Sequence, residues 1–304
     1  MKMKPHPGYE VMWNLEGEAG ATFDEKMAKI VNYKAPNGMK IYDVDIPGLN
    51  GAPNIPVRVF RDPKATKAPL LVNIHGGGFV SGSRDRDNHR TSAFAAGVPC
   101  TVISVDYRLA PGASFPAQLE DCYAGILWAI KNAEELGIDP DRIALIGTSA
   151  GAAITAGLTL YLRDIAGPRI AMQILNFGAF DYTSTTKSVL QLYEGAPLVS
   201  GENMSKIWAL YMGGFDGKLP SYYAVPALCR DLTGLPPTAV VACEYDPLRD
   251  GGIDYARRLL EAMVPTELYV LPRVPHGYDL VQAPLTKWMR EGLCASLRRE
   301  FGMK

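Results

Sequence analysis

From residue 41 onward the chain alternates strand-length apolar runs with helix-length segments, and this alternation leaves few folds open. Ile41–Ile46 and Ile55–Phe60 alternate in polarity, whereas Leu70–Ile74 is apolar at every position but Asn73 and Thr101–Val105 reads as another buried strand. Arg142–Ile146, Ile170–Leu175, Ala239–Cys243 and Glu267–Leu271 complete the set of predicted strands. Helices are expected at about 118–135, over Ala150–Arg163 and Ile253–Met263, and from Leu280 to Phe301. Strands and helices in this order build a mostly parallel sheet covered by helices on both faces, an α/β fold. The most apolar runs belong near the sheet centre, where both faces are covered. In such sheets the chemistry collects at the carboxyl ends of the strands.

Two stretches break the alternation. Residues 9–35 read as helical and partly amphipathic, with Met12, Trp13, Met27, Ile30 and Val31 on apolar faces, until Pro36-Asn37-Gly38 ends the pattern. Residues 181–224 interrupt the later part and carry Trp208, Tyr211 and Met212 at helical spacing. The expected organisation is an N-terminal segment over 1–40 and a main domain over 41–304 with an insertion at about 181–224. Both irregular stretches are expected to form a mobile cap over the strand ends. Phe79, Tyr182, Trp208, Tyr211 and Met212 are the residues expected to line a small apolar pocket there.

Composition narrows the class. Of 304 residues 47% are apolar and 21% charged, an ordinary globular balance, and the formal net charge is −1. Without a basic excess, binding to nucleic acid or to anionic membrane surfaces is disfavoured. Arg84, Arg86 and Arg90 alternate with Asp85 and Asp87 and read as a solvated loop. Five widely spaced cysteines, with no Cys-x-x-Cys, speak against a disulfide framework or zinc knuckle and for inert thiols in a reducing compartment. No signal-peptide pattern and no membrane-length apolar run is readable, so a cytoplasmic protein is expected.

Four motifs carry chemistry. Gly147-Thr148-Ser149-Ala150-Gly151 follows a predicted strand and opens a helix rich in small residues. A Gly-x-Ser-x-Gly turn in that context exposes its serine as a nucleophile. The alternative is a glycine-rich phosphate turn, but no Gly-Lys-Ser/Thr follows. His75-Gly76-Gly77-Gly78-Phe79 leaves the third strand, and its side-chain-free backbone can bring N–H groups close to a ligand. Gly77 and Gly78, with Ala150 after the serine, are the expected oxyanion donors. His75 precedes the nucleophile and is expected to prop the glycine loop. Of four histidines, only His276 lies after Ser149, in the loop beyond the last strand, which makes it the expected base. The segment Glu244 to Asp250 holds three carboxylates. Asp246, just past its strand, is the preferred acid, with Asp250 and Glu244 as alternatives.

Together these residues resemble the hormone-sensitive-lipase-like family of α/β-hydrolases, in its bacterial carboxylesterase branch. The resemblance runs from about residue 55 to the C-terminus. It rests on His75 to Gly78, Asp106-Tyr107-Arg108-Leu109-Ala110-Pro111, Gly147 to Gly151, Asp246-Pro247-Leu248-Arg249-Asp250 and His276-Gly277. It implies an eight-stranded sheet, a helical cap from the N-terminus and the insertion after the sixth strand, and hydrolysis of short-chain acyl esters. It implies no metal or organic cofactor, and homodimers are frequent in the family. Thr148 resembles the Gly-Thr-Ser-Ala-Gly subgroup. Gly112 and Gly251 stand where members often have Glu, a departure outside the motif residues. Two rival readings stay open: hydrolysis of acetylated sugars or another acyl bond, and a non-catalytic small-molecule receptor on the same fold.

Overall fold

The computed structural model describes residues 3–14, 31, 35–214 and 217–303. Its strands are β1 (Lys40–Ile46), β2 (Ile55–Arg61), β3 (Ala68–Ile74), β4 (Thr101–Val105), β5 (Ile138–Thr148), β6 (Ile170–Asn176), β7 (Thr238–Tyr245) and β8 (Thr266–Pro275). They form one sheet in the order β1-β2-β4-β3-β5-β6-β7-β8. β2 runs antiparallel to both β1 and β4, and every later pairing is parallel.

Nine helices lie among the described residues: α1 (Glu10–Asn14), α2 (Asn88–Gly97), α3 (Ala117–Lys131), α4 (Ala133–Leu136), α5 (Ala150–Asp164), α6 (Lys187–Gln191), α7 (Gly201–Met212), α8 (Arg249–Glu261) and α9 (Pro284–Glu300). The central strands are largely apolar because each face packs against a different helical layer. Leu70, Val72 and Ile74 of β3 join Ile126 of α3 and Ile154 of α5 on one face. Leu71, between them, faces Phe94 of α2 and Leu293 of α9 on the other. A third cluster joins α5 to α8 through Ala152, Ala156, Tyr255 and Leu259. Burying one such aliphatic side chain contributes roughly 1.5–3 kcal/mol. Among the described residues no helix is long and apolar enough to cross a membrane. All five cysteines are buried and free.

Two expectations need correction, and a third falls partly outside the described residues. The single helix expected at about 118–135 is interrupted at Asn132, which caps α3 and starts α4. α2 lies where only a solvated charged loop was anticipated. Asp87, at its N-cap, is 2% exposed, and the helix buries His89, Thr91 and Ser92. Its buried face mixes these polar residues with Phe94 and Ala95, so the apolar period in the sequence is too weak to announce it. Of the helix expected over 9–35, α1 is present, while Met27 and Ile30 lie outside the described residues. Tyr9 and Met12 pack with Tyr278 and Leu280, and the Tyr9 hydroxyl lies 2.7 Å from Thr286 Oγ1 at the start of α9.

His89 makes the burial of α2 testable. Its Nδ1–H donates to the Arg86 carbonyl at 3.1 Å. Burial, and then the adjacent Arg90 charge, pull the imidazole from 6.5 down to about 4. Below pH 6.5 the unfolded chain therefore takes up a proton that folded His89 refuses. Its contribution is full above 6.5 and is lost as pH falls towards 4, by about 3 kcal/mol at most. We expect urea-unfolding stability to fall across this window in the wild type and to fall less steeply in His89→Gln. Parallel pH profiles would contradict the burial of His89.

Candidate active site

The site is assembled at the carboxyl ends of β3, β5, β7 and β8. β5 reverses into α5 at Ser149, whose backbone sits at φ 55°, ψ −120°, a conformation costly for a residue with a side chain. The turn can be this tight because Gly151 has none: a Cβ there would lie 2.2 Å from the Ile74 carbonyl oxygen. Every residue from Ala150 to Leu160 is buried, so α5 cannot relax outward to relieve the turn. The Ser149 N–H donates to the Asn176 carbonyl at 2.9 Å, tying the turn to β6.

β7 ends at Tyr245 and β8 at Pro275, so Asp246 and His276 are each the first residue beyond a strand. His276 Nε2 lies 2.8 Å from Ser149 Oγ, and its Nδ1 lies 2.8 Å from Asp246 Oδ2. A carboxylate only accepts, so Nδ1 carries the proton and Nε2 is left to receive one from the serine. Asp246 is wholly buried and His276 is 5% exposed. The second carboxylate oxygen accepts the Leu248 N–H at 2.9 Å, which fixes the acid's rotation. Phe177 meets the imidazole edge-on, with centroids 4.8 Å apart.

The two alternative carboxylates are engaged elsewhere. Asp250 accepts the Ser188 N–H at 2.8 Å and pairs with Arg249, fastening α6. Glu244 accepts the Arg273 N–H at 2.7 Å on β8.

The glycine loop runs beside the serine: a Cβ on Gly76 would lie 3.2 Å from Ser149 Cβ. Gly77 and Gly78 adopt φ 127° and 62°, and a Cβ at Gly77 would collide with the Ser81 carbonyl at 2.1 Å. Among the described residues neither their N–H groups nor that of Ala150 has a hydrogen-bond partner. His75 lies beneath the loop, 1% exposed, with Nδ1 2.8 Å from the Gly76 carbonyl. Burial pushes its pKa down, which keeps it neutral. Tyr107 stacks on it at 4.1 Å and donates its hydroxyl to the His75 carbonyl at 2.8 Å. The Asp106-Tyr107-Arg108 segment thus supports the loop from below.

The five residues expected to line a pocket separate into two groups. Phe79, Trp208 and Tyr211 have essentially no exposed surface. Phe79 and Tyr211 stack at 3.8 Å with Trp208 against them, so α7 is fastened to the glycine loop and offers these rings to no ligand in this conformation. Tyr182 and Met212 are half-buried. Two residues that the sequence did not single out stand against the expected oxyanion and base loops. Ile207 of α7 would touch a Cβ at Gly78 at 3.4 Å, and Leu198 would touch one at Gly277 at 3.0 Å. Also unforeseen is a buried ionic cluster of Asp87, Arg90 and Asp279, hidden because its arginine reads as part of a charged surface run.

A parallel-centred sheet carrying a strand–serine–helix turn, with a carboxylate and a histidine at later strand ends, defines the class: this is an α/β-hydrolase. Residues 71–280 match a family described as alpha/beta hydrolase fold, and the chain belongs to that family, among its hormone-sensitive-lipase-like members. Carboxylesterase NlhH of Mycobacterium tuberculosis is 37% identical over 241 residues, covering 76% of this chain and 73% of that protein. The ethyl acetate hydrolase of Pseudomonas putida is 33% identical over 271 residues, covering 86% and 82%. The solved structure of a bacterial heroin esterase superposes with a TM-score of 0.87 at 36% identity, covering 95% of this chain and 93% of that one.

Asp246 and Asp250 are separable by experiment. Asp246→Asn should lower kcat by on the order of 10³–10⁴, because an amide donating to Nδ1 imposes the wrong tautomer. Asp250→Asn should cost less than about tenfold, since it disturbs only the seat of α6. Steady-state kinetics on p-nitrophenyl butyrate decide. A larger loss in the Asp250 variant would show that the wrong carboxylate has been named.

Proposed function

We propose that the chain is a serine carboxylesterase that hydrolyses short-chain acyl esters through Ser149, His276 and Asp246. The observation that carries this reading is the unbroken hydrogen-bonded chain from Ser149 Oγ through the imidazole to Asp246, 2.8 Å at each link. The family and its esterase relatives make the bond cleaved a carboxylic ester. A small-molecule receptor would have no need of a buried carboxylate holding a histidine against a serine at a strained turn.

His276 removes the Ser149 proton as Oγ attacks the ester carbonyl. The buried Asp246 carboxylate stabilises the imidazolium that forms. The N–H groups of Gly77, Gly78 and Ala150 receive the oxyanion, each such donor contributing about 3 kcal/mol to the transition state. Ala150 is also the first residue of α5, so the helix N-terminus favours the developing negative charge. His276 then hands its proton to the leaving alcohol, and water repeats the cycle on the acyl-enzyme.

The insertion over 181–224, with the N-terminal segment, is assigned as the cap. Ile207 over Gly78 and Leu198 against Gly277 support a short acyl pocket, because both bring aliphatic side chains close to the expected oxyanion and base loops. The ethyl acetate hydrolase relative supports the same size class.

Ser149→Ala should fold as wild type and lose a factor of about 10⁴–10⁶ in kcat on p-nitrophenyl acetate and butyrate. A variant retaining near-wild-type turnover would remove the nucleophile from the account. For the wild type, kcat/KM should peak at acyl chains of about two to six carbons, each methylene adding about 1 kcal/mol until the pocket is full. A maximum at decanoate or longer would show that the pocket is not short.

A further inference from the structure

The cluster behind the base loop has no part in the proton transfers, yet it is built from groups that are expensive to bury. Arg90 of α2 is 11% exposed, Asp87 3% and Asp279 13% by side chain. Arg90 grips Asp279 with two parallel hydrogen bonds, Nε to Oδ2 at 2.6 Å and Nη2 to Oδ1 at 2.7 Å, and holds Asp87 with Nη1. Bidentate pairing of this kind fixes orientation as well as distance. Burying an ion pair seldom adds stability over a well-packed apolar pair of the same volume. Its presence therefore calls for a reason other than stability.

The attachments of the cluster supply that reason. Asp279 lies three residues after His276, in the single turn Tyr278–Leu280. It also accepts from the Asn176 side chain at 3.2 Å, and the Asn176 carbonyl is the acceptor that holds the Ser149 N–H. Asp87 accepts from Asn73 at 2.8 Å, two residues before the glycine loop begins at His75. The Arg90 guanidinium also stands 5.8 Å from the Phe177 ring, which meets both the His276 imidazole and the Tyr278 ring edge-on. One guanidinium therefore touches, within one or two residues, the strand end under the nucleophile, the strand leading to the glycine loop and the loop that carries the base.

We infer that Arg90 and Asp279 are positioning residues, a buried bidentate clamp that holds the His276 loop at hydrogen-bonding distance from Ser149. This rests on the reading of His276 as the base. The loop beyond His276 is also seated by the packing of buried Tyr278 and Leu280 and by Thr286 Oγ1, which donates to the Tyr278 carbonyl at 3.2 Å, but the Arg90–Asp279 fork is the contact that fixes orientation as well as distance. Asp246 sets the ring's rotation but not the height of the loop above the sheet. A displacement of about 1 Å at such a group can cost on the order of a hundredfold in rate. Because the clamp acts on the base and not on substrate binding, its loss should appear in kcat and not in KM.

The test compares Asp279→Asn and Arg90→Lys with wild type. Asn keeps the shape but loses the charge and one acceptor, and Lys keeps the charge but loses the fork. Asp85→Asn is the control: it lies just before α2, with its side chain 66% exposed. Turnover on p-nitrophenyl butyrate is counted per site titrated by a p-nitrophenyl phosphonate, so partial misfolding does not mimic the effect. Both cluster variants should lose about tenfold or more in kcat with KM within twofold, and Asp85→Asn should match wild type. The inference is overturned if either folded variant keeps kcat within twofold, or if KM rises while kcat holds. It is equally overturned if both variants fail to fold, because the pair would then be needed for the fold itself. Ser149→Ala separates the two levels. If that variant is inactive while Asp279→Asn turns over normally, only the clamp fails; if it stays active, the reading of His276 as base fails with it.

Discussion

The backbone of Ser149, held at positive φ between the end of β5 and the start of α5, is the constraint on which the rest of the arrangement depends. A residue in that region costs about 1–3 kcal/mol and persists only where its surroundings over-determine it. Here they do. The helix behind the serine is buried along three turns, Gly151 lies against the β3 carbonyls, and the Ser149 N–H is tied to β6. The strain raises the side chain clear of the strand end, where groups from later strands can reach it. β7 and β8 then each contribute the first residue past the strand, and parallel pairing places both on the side where β5 ends. The order of chemistry along the chain follows from the sheet.

Around that turn, charge and ring stacking do different work. Stacked rings fasten the expected cap: Phe79 leaves the glycine loop, Tyr211 and Trp208 come down from α7, and the three share the core that contains β3 and β5. Polar pairs fasten loops that cannot bury apolar surface. Asp121 of α3, almost wholly buried, takes the backbone N–H of Arg108 at 2.8 Å and the guanidinium of the same residue at 2.7 Å, which anchors the segment beneath His75. Asp250 fastens α6 by its N–H in the same manner. The segment beneath His75 and the helix α6 are thus each held by one carboxylate on a neighbouring helix, Asp121 buried and Asp250 partly exposed.

Much of this was legible in the sequence, for reasons that differ from place to place. Strand and helix order followed from apolar periodicity, which is strongest where both sheet faces are covered, as in Leu70–Ile74. Ser149 and His276 followed from a motif in context and from chain order. The choice among Glu244, Asp246 and Asp250 could be argued only from position; the structure brings Asp246 to the imidazole and shows what occupies the other two. α2 and the Asp87–Arg90–Asp279 cluster were not legible. A buried face that is half polar weakens the apolar period, and an arginine that pairs across 189 positions of sequence reads locally as one more surface charge. The aromatic spacing in α7 was visible, but spacing alone does not distinguish a pocket wall from the packing that holds the wall in place.

The central claim is that Ser149 is a nucleophile activated by His276 and held by Asp246. Covalent trapping tests it without assuming any substrate. A p-nitrophenyl phosphonate ester should react once per chain, releasing one equivalent of p-nitrophenolate and leaving its phosphonyl group on the peptide that carries Ser149, as read by mass spectrometry. His276→Ala should slow that labelling by several orders of magnitude while the protein stays folded. Stoichiometric labelling at another residue, or labelling of Ser149 at an undiminished rate without His276, would contradict the account.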